Sequence, residues 1–243
     1  MELDLHSIDI SNILFLDIET VPQYAVYIDV PEKDRRLWDV KSKRLQTANE
    51  RPSVLYKKAG IFAEFGKIIC ISVAYVVSKK NQPLAVRVRS FYGDNERVIL
   101  EQFLQLITKH FNTTKHYLCA HNGIEFDFPF IARRALIHGL VLPKTLDTRG
   151  KRPWDIRHLD TLDLWRFGDY KNYTSLELLT HIFDIPTPKD DIDGSMICDV
   201  YWKENDFQRI VEYCQKDVVA VLQLLRKYRN EPLFEQQSIT IVS

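Results

Sequence analysis

Apolar and polar positions along this chain alternate between a strand-like and a helix-like period. The run Ile13-Leu14-Phe15-Leu16 suits burial on both faces of a sheet and predicts a strand over Asn12 to Glu19, with acids at its C-terminal end. Gly66 to Val77 and Leu84 to Tyr92 have the β-branched content and partial alternation of adjacent strands, joined by the polar turn SKKNQP. With the first strand they predict an antiparallel meander. Asp94 reads as the cap of a helix to about Phe111, because Val98, Leu100, Phe103, Leu104 and Ile107 recur at an approximate helical period. A short strand, Tyr117 to His121, follows. Pro129 suits the first turn of a helix ending near His138, with Gly139 as its stop, which puts Asp127 just before that helix. His158 to Trp165 predicts another strand; Ser175 to Phe183, Ser195 to Glu204 and Asp206 to Tyr228 predict helices. The order is that of an α/β fold with a mixed sheet. No repeat or linker divides residues 1–243, so one domain is expected. The charge-rich stretch from Pro31 to Ala59 reads as one or two surface helices inserted before the second strand.

Composition narrows the function classes. A 45% hydrophobic content in 243 residues is enough for a sizeable core. The cysteines Cys70, Cys119, Cys198 and Cys214 are too widely spaced for a zinc or disulfide framework, which fits a reducing, cytoplasmic setting. The N-terminus lacks the regions of a signal peptide, and no apolar run reaches the ~20 residues that span a bilayer, so a soluble protein is expected. Net charge is zero, from 33 basic and 33 acidic side chains, and gives no global sign of a nucleic-acid binder. Locally, the segment from Arg133 to Arg157 carries seven basic residues against two acidic ones. That segment is compatible with a backbone-contacting rim and with an ordinary solvated loop.

Five residues concentrate the candidate chemistry. Asp17 and Glu19 in FLDIET stand two apart, so an extended backbone turns both carboxylates to one face. Tyr213 and Asp217 in YCQKD stand four apart, one above the other on a helix. Asp127 in HNGIEFDFPF adds a fourth acid from a third element. Each fragment has an ordinary explanation: a chance D-x-E pair, a helix cap, a buried tyrosine beside an exposed acid. Jointly they suggest metal-dependent phosphodiester chemistry. Oxygen ligands without accompanying cysteines favour Mg²⁺ or Mn²⁺ over zinc. Four converging acids would repel one another without metal, so metal is expected to stabilise the fold.

These stretches resemble the three exonuclease motifs of the DEDD superfamily of 3′-to-5′ exonucleases: D-x-E at Asp17 to Glu19, N-x-x-x-F-D at Asn122 to Asp127, and Y-x-x-x-D at Tyr213 to Asp217. The Y-C-x-x-D form and the F-D pair are most similar to the proofreading domain of family B DNA polymerases. The segment SLELLTHIFDIPTPKDDIDGSMICDVYW resembles the region before the third motif in stand-alone bacterial exonucleases of that group. The resemblance covers about Asn12 to Leu225 and includes no polymerase portion. It implies a ribonuclease H-like, DnaQ-like fold with a mixed sheet of about five strands, and a mechanism using two divalent ions, Mg²⁺ or Mn²⁺. In that scheme Asp17, Glu19 and Asp217 hold one ion, Asp17 and Asp127 the other, and Tyr213 orients the attacking water. Ile18 (through its backbone), Thr20, Asn122 and Phe126 correspond to substrate contacts, although Phe126 suits a core position equally well and Thr20 also suits a plain strand end; Lys189 in TPKDD is a candidate phosphate contact, against the more common role of a solvated lysine. The branch of the superfamily that uses histidine places it five positions before the last aspartate, where this chain has Glu212. His121 is therefore expected to pack near its strand end.

The implied activity is removal of nucleoside 5′-monophosphates from the 3′ end of single-stranded DNA. Two alternatives stay open on the sequence: an exoribonuclease, and a catalytically inactive module that binds single-stranded nucleic acid. Protein partners and oligomeric state leave no signal in the sequence.

Overall fold

The computed structural model describes residues 4–45, 50–78, 80–187 and 192–242. Strand β1 (Ile13–Pro22) is flanked on one side by the antiparallel pair β2 (Gly66–Val77) and β3 (Ala85–Tyr92), the meander expected from the sequence. On its other side β1 pairs in parallel with β4 (Tyr117–Ala120), and β4 with the two-residue β5 (Leu159–Asp160). A sixth strand, β6 (Ile239–Val242), runs parallel to β3 and completes the order β5-β4-β1-β2-β3-β6. Among the described residues the sheet is mixed and has six strands, against the expected five or so.

Alternation along β1 divides the core. Leu14, Leu16 and Ile18 point into a cluster with Ile99, Leu100, Phe103, Leu104 and Ile107 of α3 (Glu96–His110) and with Phe128, Ile131 and Ala135 of the helix Asp127–Ile137. Ile13 and Phe15 point the other way, onto Val218, Val221, Leu222 and Leu225 of the long helix Phe207–Tyr228. At ~1.5–3 kcal/mol per fully buried large apolar side chain, these two faces dominate the stability. Between β1 and β2 lie α1 (Glu32–Ser42) and α2 (Pro52–Leu55), at the place expected for surface helices. They are not simply a solvated surface: Trp38, Leu55, Tyr56 and Ala59 are buried in a cluster of their own.

The remaining helices are α4 (Asp127–Ile137), α5 (Thr161–Arg166), α6 (Leu176–Ile182), α7 (Ile197–Asp199) and α8 (Phe207–Tyr228). Two local expectations are corrected. Asn95, not Asp94, caps α3 by accepting from the Val98 amide, while Asp94 accepts from the Tyr201 hydroxyl at 2.6 Å. The strand expected from His158 to Trp165 ends after Asp160, whose carboxylate accepts from the amides of Leu162 and Asp163 and so starts α5. An N-cap of this kind overrides the strand preference of the apolar residues after it.

Below α3 and α4 lies a buried charge cluster. The Glu96 carboxylate accepts from the Ile68 amide at 2.7 Å, from Arg134 Nε at 2.8 Å and from His138 Nε2 at 2.7 Å, and Arg134 also donates to the Ala63 carbonyl. Burial raises the Glu96 carboxyl, and the bonds from Arg134 and Ile68 outweigh it, leaving the group below the ordinary range. This cluster removes Arg134 from the basic segment read along the sequence. Arg149 and Arg152 of that segment pair with Asp147 and Asp155. Among the described residues no helix is long and apolar enough to cross a membrane, and all four cysteines are free thiols.

Candidate active site

The odd-numbered side chains of β1 face α8, so Asp17 and Glu19 continue the face begun by Ile13 and Phe15. There the first turns of α8 deliver Tyr213, Cys214 and Asp217. One ligand atom each from Asp17, Glu19 and Cys214 lie within 4.8 Å of one another. A register shift in the β1–β2 pairing falls between Glu19 and Thr20, directly at the acids. Such bulges re-aim a strand's side chains.

Asp127 arrives from the other face. It is the first residue of α4, one position further into the helix than expected, and its Oδ1 accepts from the Ile18 amide at 3.2 Å. The turn that brings it there depends on Gly123: a Cβ at that position would lie 2.4 Å from the Cβ of Ala120 and 3.0 Å from the Phe128 ring. Asn122 beside it has φ +60°, a left-handed backbone that asparagine tolerates better than most residues.

The electrostatics are those of acids crowded out of water. Asp17 is held well above the ordinary carboxylate range, by burial first and then by the charges of Asp217 and Asp127. Glu19 is raised well above it too, by burial and by Asp17 and Asp217. Burial, chiefly, pushes Asp127 up to about 8. Asp17 Oδ2 is buried and has no hydrogen-bond partner among the described residues. A buried carboxylate oxygen without a donor is costly unless a cation satisfies it. Tyr213 is pushed up by burial and by Asp217, Glu19 and Asp17, and its hydroxyl hydrogen-bonds to Asp217. The phenol stays protonated.

Cys214 is a neighbour that sequence reasoning did not place here, although it stands beside Tyr213 in YCQKD. Its Sγ donates to the Asp17 carbonyl at 3.4 Å, and burial holds the thiol well above its ordinary value. Its Sγ is thus engaged with the backbone, and the side chains beside it offer carboxylate oxygens, the ligand type that hard divalent cations take.

Asp160 is a second residue the sequence reading passed over; its signal was an aspartate immediately before a short apolar helix. Besides capping α5, its Oδ1 accepts from the Asn122 amide at 2.9 Å and its Oδ2 from the Ile124 amide at 3.0 Å. One buried carboxylate thus fixes the turn that leads into Asp127. His121 packs at the end of β4 as expected, with Nδ1 on Thr161 Oγ1 and Nε2 on the Thr174 carbonyl, each at 3.0 Å. Phe126 is half-buried against the core, its ring centroid 5.4 Å from that of Phe130. Thr20 is half-buried on β1, just past the acids, and the Ile18 amide is engaged by Asp127. Lys189 lies outside the described residues.

Fold and site together define a class. The chain belongs to the family described as predicted 3′-5′ exonuclease related to the exonuclease domain of PolB, which it matches over residues 61–233. The match contains Asp127, Tyr213 and Asp217 and leaves β1, with Asp17 and Glu19, outside it. A family B DNA polymerase from the hyperthermophilic archaeon Pyrobaculum calidifontis is similar in structure, with a TM-score of 0.51 at 15% sequence identity. The similarity covers 89% of this chain and 24% of that polymerase. The fold is thus that of a ribonuclease H-like exonuclease domain.

Proposed function

We propose that this chain is one exonuclease domain that hydrolyses the 3′-terminal phosphodiester bond of single-stranded DNA and releases nucleoside 5′-monophosphates with two divalent ions. The observation that supports the reading is the buried, unpartnered Oδ2 of Asp17 beside Glu19, on a carboxyl that the charges of Asp217 from α8 and Asp127 from α4 also act on. Asp17, Glu19 and Asp217 would hold one Mg²⁺ or Mn²⁺, and Asp17 with Asp127 the other. Bound there, such ions supply Lewis-acid activation of water and charge stabilisation on the leaving 3′ oxygen.

The chain's own residues do the positioning. Tyr213 keeps its proton and orients the attacking water by hydrogen bonding; it does not act as the base. Asn122 and Phe126 bracket the terminal nucleotide, one by hydrogen bonding and one by apolar packing. Thr20, the Ile18 backbone and Lys189 complete the contacts with the strand end. A balanced net charge suits an enzyme that grips a few nucleotides, because each phosphate contact needs its own basic group.

A 5′-labelled single-stranded DNA incubated with Mg²⁺ should give a descending ladder that vanishes in the double variant Asp17→Ala, Asp217→Ala. Absence of the ladder, or its persistence in the variant, sinks the reading. A matched RNA oligonucleotide degraded faster than the DNA would move the substrate to RNA.

A further inference from the structure

Beside the site, the seven residues from Phe167 to Tyr173 expose three aromatic rings to solvent: Phe167 is 92% exposed, Tyr170 70% and Tyr173 65%. Folding ordinarily removes such rings from water, since they are the largest sources of hydrophobic stabilisation. Phe167 is also strained. It ends α5 with φ +44°, a left-handed backbone that a bulky side chain adopts only under constraint, and Gly168 follows at φ +91°.

The segment is nonetheless built. The Asp169 amide donates to the Arg166 carbonyl at 2.7 Å, and the Asp169 carboxylate accepts from the Lys171 amide at 3.1 Å and from Asn172 Nδ2 at 3.0 Å. At its far end the Thr174 carbonyl accepts from His121 Nε2, one residue before Asn122, and the Tyr173 ring lies 6.3 Å from the His121 ring. At its near end stands α5, capped by the same Asp160 carboxylate that holds the turn before Asp127. The Arg166 guanidinium sits 5.6 Å from the centre of the Tyr170 ring but is largely buried and paired with Glu125 at 3.6 Å and Asp163 at 3.9 Å, whereas Lys171 beside Tyr170 is exposed. Partial burial of its hydroxyl, and after it the charges of Asp127, Asp160 and Asp217, raise the Tyr173 phenol above its ordinary value.

We infer that Phe167, Tyr170 and Tyr173 form a stacking platform for unpaired bases of the strand entering the site, with the exposed Lys171 beside its phosphates and Arg166 supporting the Tyr170 ring from beneath. The inference rests on the nuclease reading of the adjacent acids and adds where the strand lies as it approaches them. Exposed, preorganised rings interleaved with cations are how proteins hold single strands without reading sequence, since every base has a π-face. A duplex offers no free base faces, so the platform selects single strands.

The test compares the wild type with the triple variant Phe167→Ala, Tyr170→Ala, Tyr173→Ala on two substrates. One is a twelve-nucleotide single-stranded DNA; the other is the p-nitrophenyl ester of thymidine 5′-monophosphate, a phosphodiester with no neighbouring base. The variant should raise KM for the oligonucleotide about tenfold or more, with kcat and the rate on the small ester unchanged. Restoring the rings as Phe167→Trp, Tyr170→Phe, Tyr173→Phe should restore KM. An oligonucleotide with abasic sites upstream of its last two nucleotides should bind the wild type as weakly as the intact strand binds the variant. An unchanged oligonucleotide KM, or an equal loss on both substrates, overturns the platform. If the wild type cleaves neither substrate in Mg²⁺ or Mn²⁺, the nuclease reading has failed instead. Fluorescence anisotropy of a labelled strand then decides the platform alone: it stands if the alanine variant binds about tenfold or more weakly and falls if affinity is equal.

Discussion

The Ile18 amide donates to the Asp127 carboxylate at 3.2 Å, tying the start of α4 to the strand between Asp17 and Glu19. The two residues are 109 positions apart in sequence. Through this bond a helix on one face of the sheet sets its acid against a strand whose own acids point to the opposite face. The geometry is held by the protein itself, and Asp160 secures it from behind through the amides of Asn122 and Ile124.

Asp160→Asn should expose that dependence. The amide keeps an acceptor for Asn122 and Leu162 but turns a donor towards the Ile124 amide. Activity should fall about 10–100-fold with weaker Mn²⁺ affinity, as when a group supporting a metal ligand is lost. The folded state should lose about 1–3 kcal/mol. Steady-state kinetics with Mn²⁺ titration and urea melts check both, and unchanged kcat would remove Asp160 from the machinery.

Tyr213→Phe deletes the hydroxyl bonded to Asp217 and keeps the ring. Loss of one positioning group should lower kcat about 100-fold while KM for the oligonucleotide stays within about twofold. Because the phenol is held above its ordinary value, the wild-type pH profile should show no ionisation of Tyr213 below about pH 10. A variant retaining half of the wild-type kcat would contradict the assignment.

Asp127 is raised from an ordinary 3.8 to about 8, and Asp17 and Glu19 shift the same way. The folded state therefore binds these protons more tightly than the unfolded chain. Their contribution to stability is fully present below about pH 4 and is lost as pH rises through about 8. In EDTA the thermal midpoint should fall between pH 5 and 8.5. Mg²⁺ should restore it, with the larger gain at the higher pH, where fewer protons compete for the ligands. Glu96, held below its ordinary value of 4.5, acts in the opposite sense only at lower pH. Melting curves with and without metal at the two pH values decide; a larger metal gain at pH 5 would contradict the assignment.

Arg134→Ala should destabilise by about 3–5 kcal/mol, because it strands the buried Glu96 carboxylate with only the Ile68 amide and His138 as partners. Glu96→Gln with Arg134→Met should recover part of that loss. Denaturant midpoints of the single and double variants measure it, and a single variant as stable as the wild type would show that the cluster contributes little.

Apolar patterning together with β-branched content and turn and breaker residues located β1, β2, β3, α3, α4 and α8, because each buries a regular apolar face between local stop signals. The spacing of Asp17 with Glu19 and of Tyr213 with Asp217 was equally legible, since one backbone geometry fixes both members of each pair. What the chain could not show locally was decided by contacts between distant segments. The cap at Asp160 converted an expected strand into α5, β6 found its pairing edge only on β3, and Arg134 left an apparent basic rim for Glu96. Cys214 and Asp160 joined the site for the same reason: their hydrogen-bond partners, the Asp17 carbonyl and the Asn122 amide, lie far away in sequence and meet them only once the sheet has formed. Local patterns fix elements and motifs because short-range geometry is carried by the residues themselves, whereas partners for buried polar groups are chosen when the layers close.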